Sequence, residues 1–265
     1  MHSTSFAKTH SPTMNRRNFL HRTRGLLAVP LLPAPAVAVQ QMRVASINLV
    51  GLRNVAEASV KSALTLREGQ PFSEESVERC RKSLSALGYF RRVTVVNAPT
   101  PTGVVVTFQL LEWPRVLHIR VTGNTVVSMP DVFAEIKSRR GEVLQTQQLQ
   151  RDVSAIEQLY RERGYVGRVS SSLVDDAAAT GILRFQILEV RIAAIEVECP
   201  DAGLRTRCRA VLKEIAPNLY RPEAVAGDQG RLLDVRGVRS ASPRVEPIEP
   251  GKVRVRWFIN ASPTE

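Results

Sequence analysis

A stretch with helical spacing ends on Gly88-Tyr89 and again on Gly164-Tyr165, 76 positions later. Each time it runs into a short basic, β-branched stretch: SLSALGYFRRVTV in one place, QLYRERGYVGRVS in the other. The match extends in both directions. ASINLVGLRNV aligns with LHIRVTGNTVV, which sets Gly51 on Gly123, and eighteen residues later Gly69 aligns with Gly141. Each copy closes on an alternating stretch ending in glutamate, VVVTFQLLE at Glu112 and ILRFQILE at Glu189. Landmarks repeated in one order at similar spacing mean that the fold is built from copies of a unit of about 75 residues.

Local chemistry predicts what the unit is. INLVG and IRVTG alternate apolar and polar residues as a half-buried strand does, and Gly51 and Gly123 suit a turn at positive φ. Asn54-x-x-Glu57 and Ser128-x-x-Asp131 read as helix starts. A second helix follows in each copy. Ser73 is placed to cap the first, with Val77, Cys80, Leu84 and Leu87 as its apolar stripe; Thr146 is placed to cap the second, with Leu149, Val153, Ile156 and Tyr160. Gly88 and Gly164 suit the left-handed helix stop. Tyr89 and Phe90, like Tyr165 and Val166, then fold back over the helix end as core. RRVTVV and VVVTFQLLE form a hairpin, as do GRVSSSLV and ILRFQILE. The expected fold class is α+β: tandem β-α-α-β-β units, each a three-stranded sheet covered on one face by two helices. One unit alone buries a small core, and tandem neighbours support one another.

A third, worn copy follows. RIAAIEVECPDAG is again a strand and turn, with Cys199-Pro200 in place of the glycine. LRTRCRAVLKEIA reads as a helix ending before Pro217. RPEAVAGDQGRLLDV is a poorer second helix containing Gly227 and Gly230, the helix-stop Gly-Tyr is missing unless Gly237-Val238 stands in for it, and VRVRWFIN is the closing strand.

The net charge is +12, but five cations and no acid fall in residues 1–38, leaving +7 for the rest. That segment has the form of an export signal: basic MNRRNFLHRTR, apolar GLLAVPLL, and Ala36-Val37-Ala38 as a cleavage site. A membrane span needs about 20 continuous apolar residues, and Pro30, Pro33 and Pro35 break a shorter run. Cleavage near Ala38 is therefore expected over an uncleaved anchor. Arg16-Arg17-x-Phe19-Leu20 resembles a twin-arginine signal, with a general secretory signal as the competing reading. The location expected from this segment is outside the cytoplasm, in the periplasm or cell envelope. Export puts the mature chain where disulfides persist. Cys80 lies on a helix stripe as a buried thiol. Cys199 and Cys208, at a strand end and an early helical turn, read either as a small-loop disulfide or as two free thiols.

The ordered set I-x-x-x-G, a downstream glycine before the P-F-S cap, L-G-Y-F-R-x-V, and a closing V-x-V-x-F-x-x-x-E resembles the POTRA (polypeptide-transport-associated) domain. The resemblance implies an export segment over 1–38, POTRA-like domains over 42–113 and 114–190, and a divergent one over 191–265. Tandem POTRA domains form periplasmic arms of outer-membrane protein assembly factors, which continue into a β-barrel of at least eight strands. This chain ends at Glu265 just after the third unit's last strand, so the expectation is an arm without its pore. The partners implied are a separate outer-membrane β-barrel subunit or unfolded outer-membrane clients.

An edge strand presents unpaired N–H and C=O groups, onto which an extended peptide can add with little demand on its sequence. In the family this is thought to occur along the strand after the second helix. Here that strand holds Arg91, Arg92, Val93, Thr94 and Val95 in one copy, and Gly167, Arg168, Val169, Ser170, Ser171, Ser172 and Leu173 in the other. The small serines either leave room for an incoming backbone or form a solvated face. Enzymatic machinery is not expected: three of the four histidines fall in residues 1–38, leaving His118, and Asp175-Asp176 reads as a turn. There is no Walker loop, no G-x-S-x-G and no metal-ligand cluster, so neither cofactor nor metal is expected. Arg91, Arg92, Arg139, Arg140, Arg161, Arg163, Arg254 and Arg256 read either as solvated surface or as a face for an acidic membrane or partner. Nucleic acid is not an expected partner, since no motif accompanies the charge. The competing function is an envelope or cell-division scaffold that binds one fixed partner by the same strand addition.

Overall fold

The computed structural model describes residues 42–174 and 181–262; the export-type segment and the Asp175-Asp176 turn lie outside them. The unit appears three times. The first contains β1 (Val44–Val50), α1 (Glu57–Ser62), α2 (Glu74–Ala86), β2 (Phe90–Thr100) and β3 (Gly103–Glu112). The second contains β4 (His118–Thr122), α3 (Met129–Glu135), α4 (Thr146–Glu162), β5 (Gly167–Val174) and β6 (Ile182–Glu189). The third contains β7 (Arg191–Glu198), α5 (Ala202–Val211), α6 (Pro222–Leu233), β8 (Val238–Glu249) and β9 (Lys252–Ala261).

Each sheet is mixed, in the orders β1-β3-β2, β4-β6-β5 and β7-β9-β8. The short hairpin makes the last two strands antiparallel, while the two-helix crossover returns the chain parallel to the first strand. The closing strand is thus central, and its alternate residues form each core: Val104, Val106, Phe108 and Leu110; Leu183, Phe185 and Ile187; Val253, Val255, Trp257 and Ile259. The helices cover one face with Val77, Cys80 and Leu84, then Ile156, Leu159 and Tyr160, then Leu204, Cys208, Val225 and Leu232. Burying each such aliphatic or aromatic side chain contributes roughly 1.5–3 kcal/mol.

Gly51 (φ 98°) and Gly123 (φ 88°) end the first strands in the left-handed region. A Cβ there would lie 2.1 Å from the Leu110 carbonyl oxygen and 2.0 Å from that of Ile187. Both the dihedral and the close approach of the central strand require glycine.

Two of the expected caps stand and two do not. Ser73 accepts from the Ser76 N–H at 3.2 Å and Ser128 from the Asp131 N–H at 3.3 Å. Asn54 caps nothing: α1 starts after Ala56, and the Asn54 side chain donates to Glu112 instead. Thr146 is the first residue of α4 rather than its cap, and its N–H donates to the Gly88 carbonyl in the preceding unit at 3.0 Å. In the third unit α5 stops at Val211, short of the expected end, and is capped by Asp201 accepting from the Leu204 N–H. The second helix, α6, is regular through Gly227 and Gly230 because Val225 and Leu232 are buried beneath it. Among the described residues, no helix is long and apolar enough to cross a membrane.

Candidate functional site

β2 and β5 each lie at a sheet edge, with every sequence-predicted edge residue on one of them. In an antiparallel pair, alternate residues bond inward and the rest turn their N–H and C=O outward. The β2–β3 hairpin closes on Thr100 opposite Gly103, so Thr94, Val96 and Ala98 bond inward and Val93, Val95, Asn97 and Pro99 face outward. Pro99 has no N–H and is found in the outward set, where none is needed. Arg91, Arg92 and Thr94 are exposed, Val93 is buried and Val95 half-buried. In β5, the Val190 N–H bonded to the Val166 carbonyl at 2.9 Å sets the alternation. Arg168, Ser170 and Ser172 therefore bond inward, and Gly167, Val169, Ser171 and Leu173 face outward. This second edge is partly occupied: α4 sends Glu157 to accept from the Val169 N–H at 3.1 Å. Gly167 is buried with Tyr160 against it, where a Cβ would lie 2.8 Å from the ring.

The closing glutamates, visible in sequence only as landmarks, are clasps. Glu112 accepts from the backbone of Arg53, Asn54 and Val55 and from the Asn54 side chain. Glu189 accepts from the Thr125 N–H at 2.5 Å, the Val126 N–H at 3.0 Å, the Tyr160 hydroxyl at 2.9 Å and the Thr125 hydroxyl. Each carboxylate ties the loop after the first strand to the end of the central strand. In the third unit the equivalent position is Ala261, opposite Val238, and the clasp is missing.

Burial by itself would push the Glu189 carboxyl up, but the bonds from Thr125, Val126 and Tyr160 outweigh it and hold it below the usual carboxylate range. The Tyr160 phenol is pushed up by burial and by Glu189. A depressed folded pKa contributes stability that is complete above the unfolded value, about 4.3 for glutamate, and is lost as pH falls through the folded value. The second unit should therefore lose stability on acidification below pH ~4, and Glu189→Gln should flatten that dependence. Hydrogen exchange across β4 and β6 as a function of pH checks it; an unchanged acid profile in the variant would assign the lability elsewhere.

A second contact that recurs between units was not legible in the sequence. Asp152, fully buried on α4, accepts from the Lys137 and Ser138 N–H groups, both at 2.9 Å, and from Gln148. Asp228 on α6 does the same for Lys213 and Glu214, at 2.9 and 3.0 Å. Cys80 holds that place in the first unit, its Sγ 3.4 Å from the Leu66 N–H. A buried acceptor thus fixes the chain leaving each first helix. Of the two readings left open for Cys199 and Cys208, the structure has free thiols, both buried. Burial, and then the nearby Cys199, push the Cys208 thiol up.

Where the first two units meet, the last carbonyls of α2 receive donors from the first turn of α4. Gln145 Nε2 reaches the Leu87 oxygen at 3.2 Å, the Thr146 N–H reaches Gly88, and Gln147 reaches Ala86. Across the same junction Arg115 Nε donates to Asn54 Oδ1 at 2.7 Å, beside a cleft of about 490 Å³. Arg91 lies over Trp113, 5.9 Å from its ring centre. Of the arginines read either as solvated surface or as a basic face, three are paired with acids. Arg254 and Arg256 pair with Glu196 at 3.0 Å each, and Arg256 also with Glu198 at 3.3 Å, so they belong to a mixed-charge ladder. Arg163 pairs with Asp131. His118 is exposed on β4. Among the described residues, no group of three or more His, Cys, Asp or Glu could hold a metal ion.

The POTRA family, described as a surface antigen variable number repeat, matches residues 42–112 and 114–189, more than half of the chain. Outer membrane protein assembly factor BamA of Nitratidesulfovibrio vulgaris is 27% identical over 177 residues, which cover 65% of this chain and 22% of that protein. Outer envelope protein 80, chloroplastic, of Arabidopsis thaliana is 29% identical over 140 residues, covering 53% and 18%. The chain spans about a fifth of the length of these relatives. POTRA1-3 of the periplasmic domain of Omp85 from Anabaena superposes with a TM-score of 0.67 over 84% of this chain and 97% of that one, at 15% identity. The N-terminal domain of Omp85 from Thermosynechococcus elongatus gives 0.64 over 83% and 97%, at 20% identity. At these identities the structural likeness speaks for the fold.

Proposed function

The chain belongs to the POTRA family, and from that premise we propose that it is a non-enzymatic binding and docking module in outer-membrane β-barrel protein assembly or protein secretion. It captures extended polypeptide by strand addition. The observation that carries this is the recurrence of one architecture in which the strand after the second helix is left at a sheet edge. An edge binds through main-chain groups and so accepts many sequences, which suits a module that meets varied unfolded chains. The relatives' names support the setting: an outer membrane protein assembly factor and an outer envelope protein. On this proposal residues 1–38 are an export signal, and the working domains are 42–113, 114–190 and 191–265. The partners are an outer-membrane barrel subunit or unfolded barrel precursors in the periplasm.

The test is photo-crosslinking in the native host, with probes in β2 at Thr94 and in β5 at Ser172, and a control at Ser154 on the exposed side of α4. Many outer-membrane precursors or a barrel subunit, caught at the strand probes and not at Ser154, is the expected result. A single stoichiometric division or scaffold protein would replace assembly with scaffolding. Equal adducts at all three positions would remove strand addition as the mechanism.

A further inference from the structure

Strand addition, the mechanism on which this inference depends, needs successive outward residues that offer both N–H and C=O. The three units are unequal in this respect. In β8 the hairpin closes on Glu249 opposite Lys252, and past an irregularity the pairing runs Pro247 with Val253, Val245 with Val255, and Pro243 with Trp257. Proline cannot donate to the ladder, so Pro243 and Pro247 must belong to the outward set, with Ala241 and Val245. The contact from α6 agrees: Gln229 Nε2 donates to the Ala241 carbonyl at 2.8 Å, a carbonyl that β9 therefore does not use. Along the open edge of the third unit, then, two positions lack a donor and a third has its acceptor taken. Prolines and occupied groups are how natural sheets close an edge to pairing.

In β5 the outward Val169 N–H is held by Glu157, and Gly167 is buried against Tyr160. Among the described residues, Ser171 and Leu173 remain, a short stretch. In β2, Val93, Val95 and Asn97 follow one another with no side chain of α2 bonded to their backbone, and the run ends only at Pro99.

We infer that extended polypeptide is captured at the β2 edge of the first unit, through the backbone of Val93, Val95 and Asn97, and that the third unit's edge is closed to it. The incoming strand lies beside Val93 and Val95 on the side of the helices and beside Thr94 and the exposed Val96 on the other. Cross-strand pairing with valines favours β-branched or aromatic apolar side chains. The segment that fits is therefore a short extended one whose helix-side residues are apolar, with free choice on the other side.

The experiment uses the full chain and a short synthetic peptide of alternating valine and threonine with glutamates at both ends. Val95→Pro removes the central outward donor and leaves the β2–β3 ladder its bonds. Loss of that bond, with the peptide carbonyl left unpaired, should weaken binding at least about tenfold, whereas Ser171→Pro should leave it within about twofold. In the unsubstituted protein, saturating peptide should slow exchange of the Val93, Val95 and Asn97 amides and not that of Ser171 or Val245; this holds as a test even if Val95→Pro fails to fold. Weakening by Ser171→Pro, with protection at β5 alone, would overturn the assignment to β2 and keep strand addition. Binding with no protection at any edge, or no binding at all, would overturn strand addition itself. Protection of β2 that rises with protein concentration in the absence of peptide would make the occupant a second copy of this chain and overturn the assignment.

Discussion

Gly123→Ala is expected to detach β4 from its sheet, whereas Gly141→Ala, at nearly the same dihedral, leaves the second unit folded. The two glycines have φ of 88° and 86°. An alanine at either carries the left-handed penalty of about 1–2 kcal/mol. At Gly141 nothing lies within 4 Å of the new Cβ, so the cost stops there. At Gly123 the Cβ would sit 2.0 Å from the Ile187 carbonyl oxygen, which belongs to the central strand and cannot rotate aside as a side chain could. Parting β4 from β6 also pulls Thr125 and Val126 off Glu189, which adds to overpacking worth about 1–3 kcal/mol. The total, about 4 kcal/mol, is a large share of a small unit's stability. Denaturant titration followed by hydrogen exchange within residues 118–127 checks the pair. Equal losses at both sites would mean the strand yields and the close approach is not what requires glycine.

Trp257→Ala should cost about 3–5 kcal/mol and melt the third unit first. Trp257 is 1% exposed on the central strand β9, amid Val197, Leu204, Leu232 and Ala241. Trp257 is the one aromatic among the buried residues of that cluster, with Tyr220 packed against it only partly buried, so the small aliphatic neighbours leave most of the cavity unfilled. The only other tryptophan, Trp113, is half-buried between the first two units under Arg91. Fluorescence of the variant therefore reports that junction alone. The expected outcome is early exchange across β7–β9 while the Trp113 signal keeps its native midpoint. A Trp113 transition that moves down with the third unit would mean that the three units unfold together.

How far the sequence was legible depended on whether a residue's partner lay close by in the chain. Gly51, Gly123, Ser73 and Ser128 could be read because their conformation or cap is decided within a few residues. Asn54 and Thr146 looked like caps by the same local logic, yet their partners are 58 residues away, in Glu112 and Gly88. Long-range contacts overrode the local preference. Asp152 and Asp228 gave no signal, since a polar residue on a helix reads as solvent-facing until the turn it clasps is in place. The strand β8 carries Pro243 and Pro247, which argue against a strand in any pattern analysis; only at an edge do they fit. The two edges in the first copies were legible as strands, but the occupation of the Val169 N–H by Glu157 was not, because it depends on how α4 lies along β5.

The junction between α2 and α4 bears on how such chains can be rearranged. The carbonyls of Ala86, Leu87 and Gly88 are completed by Gln147, Gln145 and Thr146 of the next repeat. A first repeat excised by recombination would hand those carbonyls to water and lose the neighbour's donors, so it would carry a less fixed helix end than it has in the pair. For these two repeats, the heritable building block is the pair.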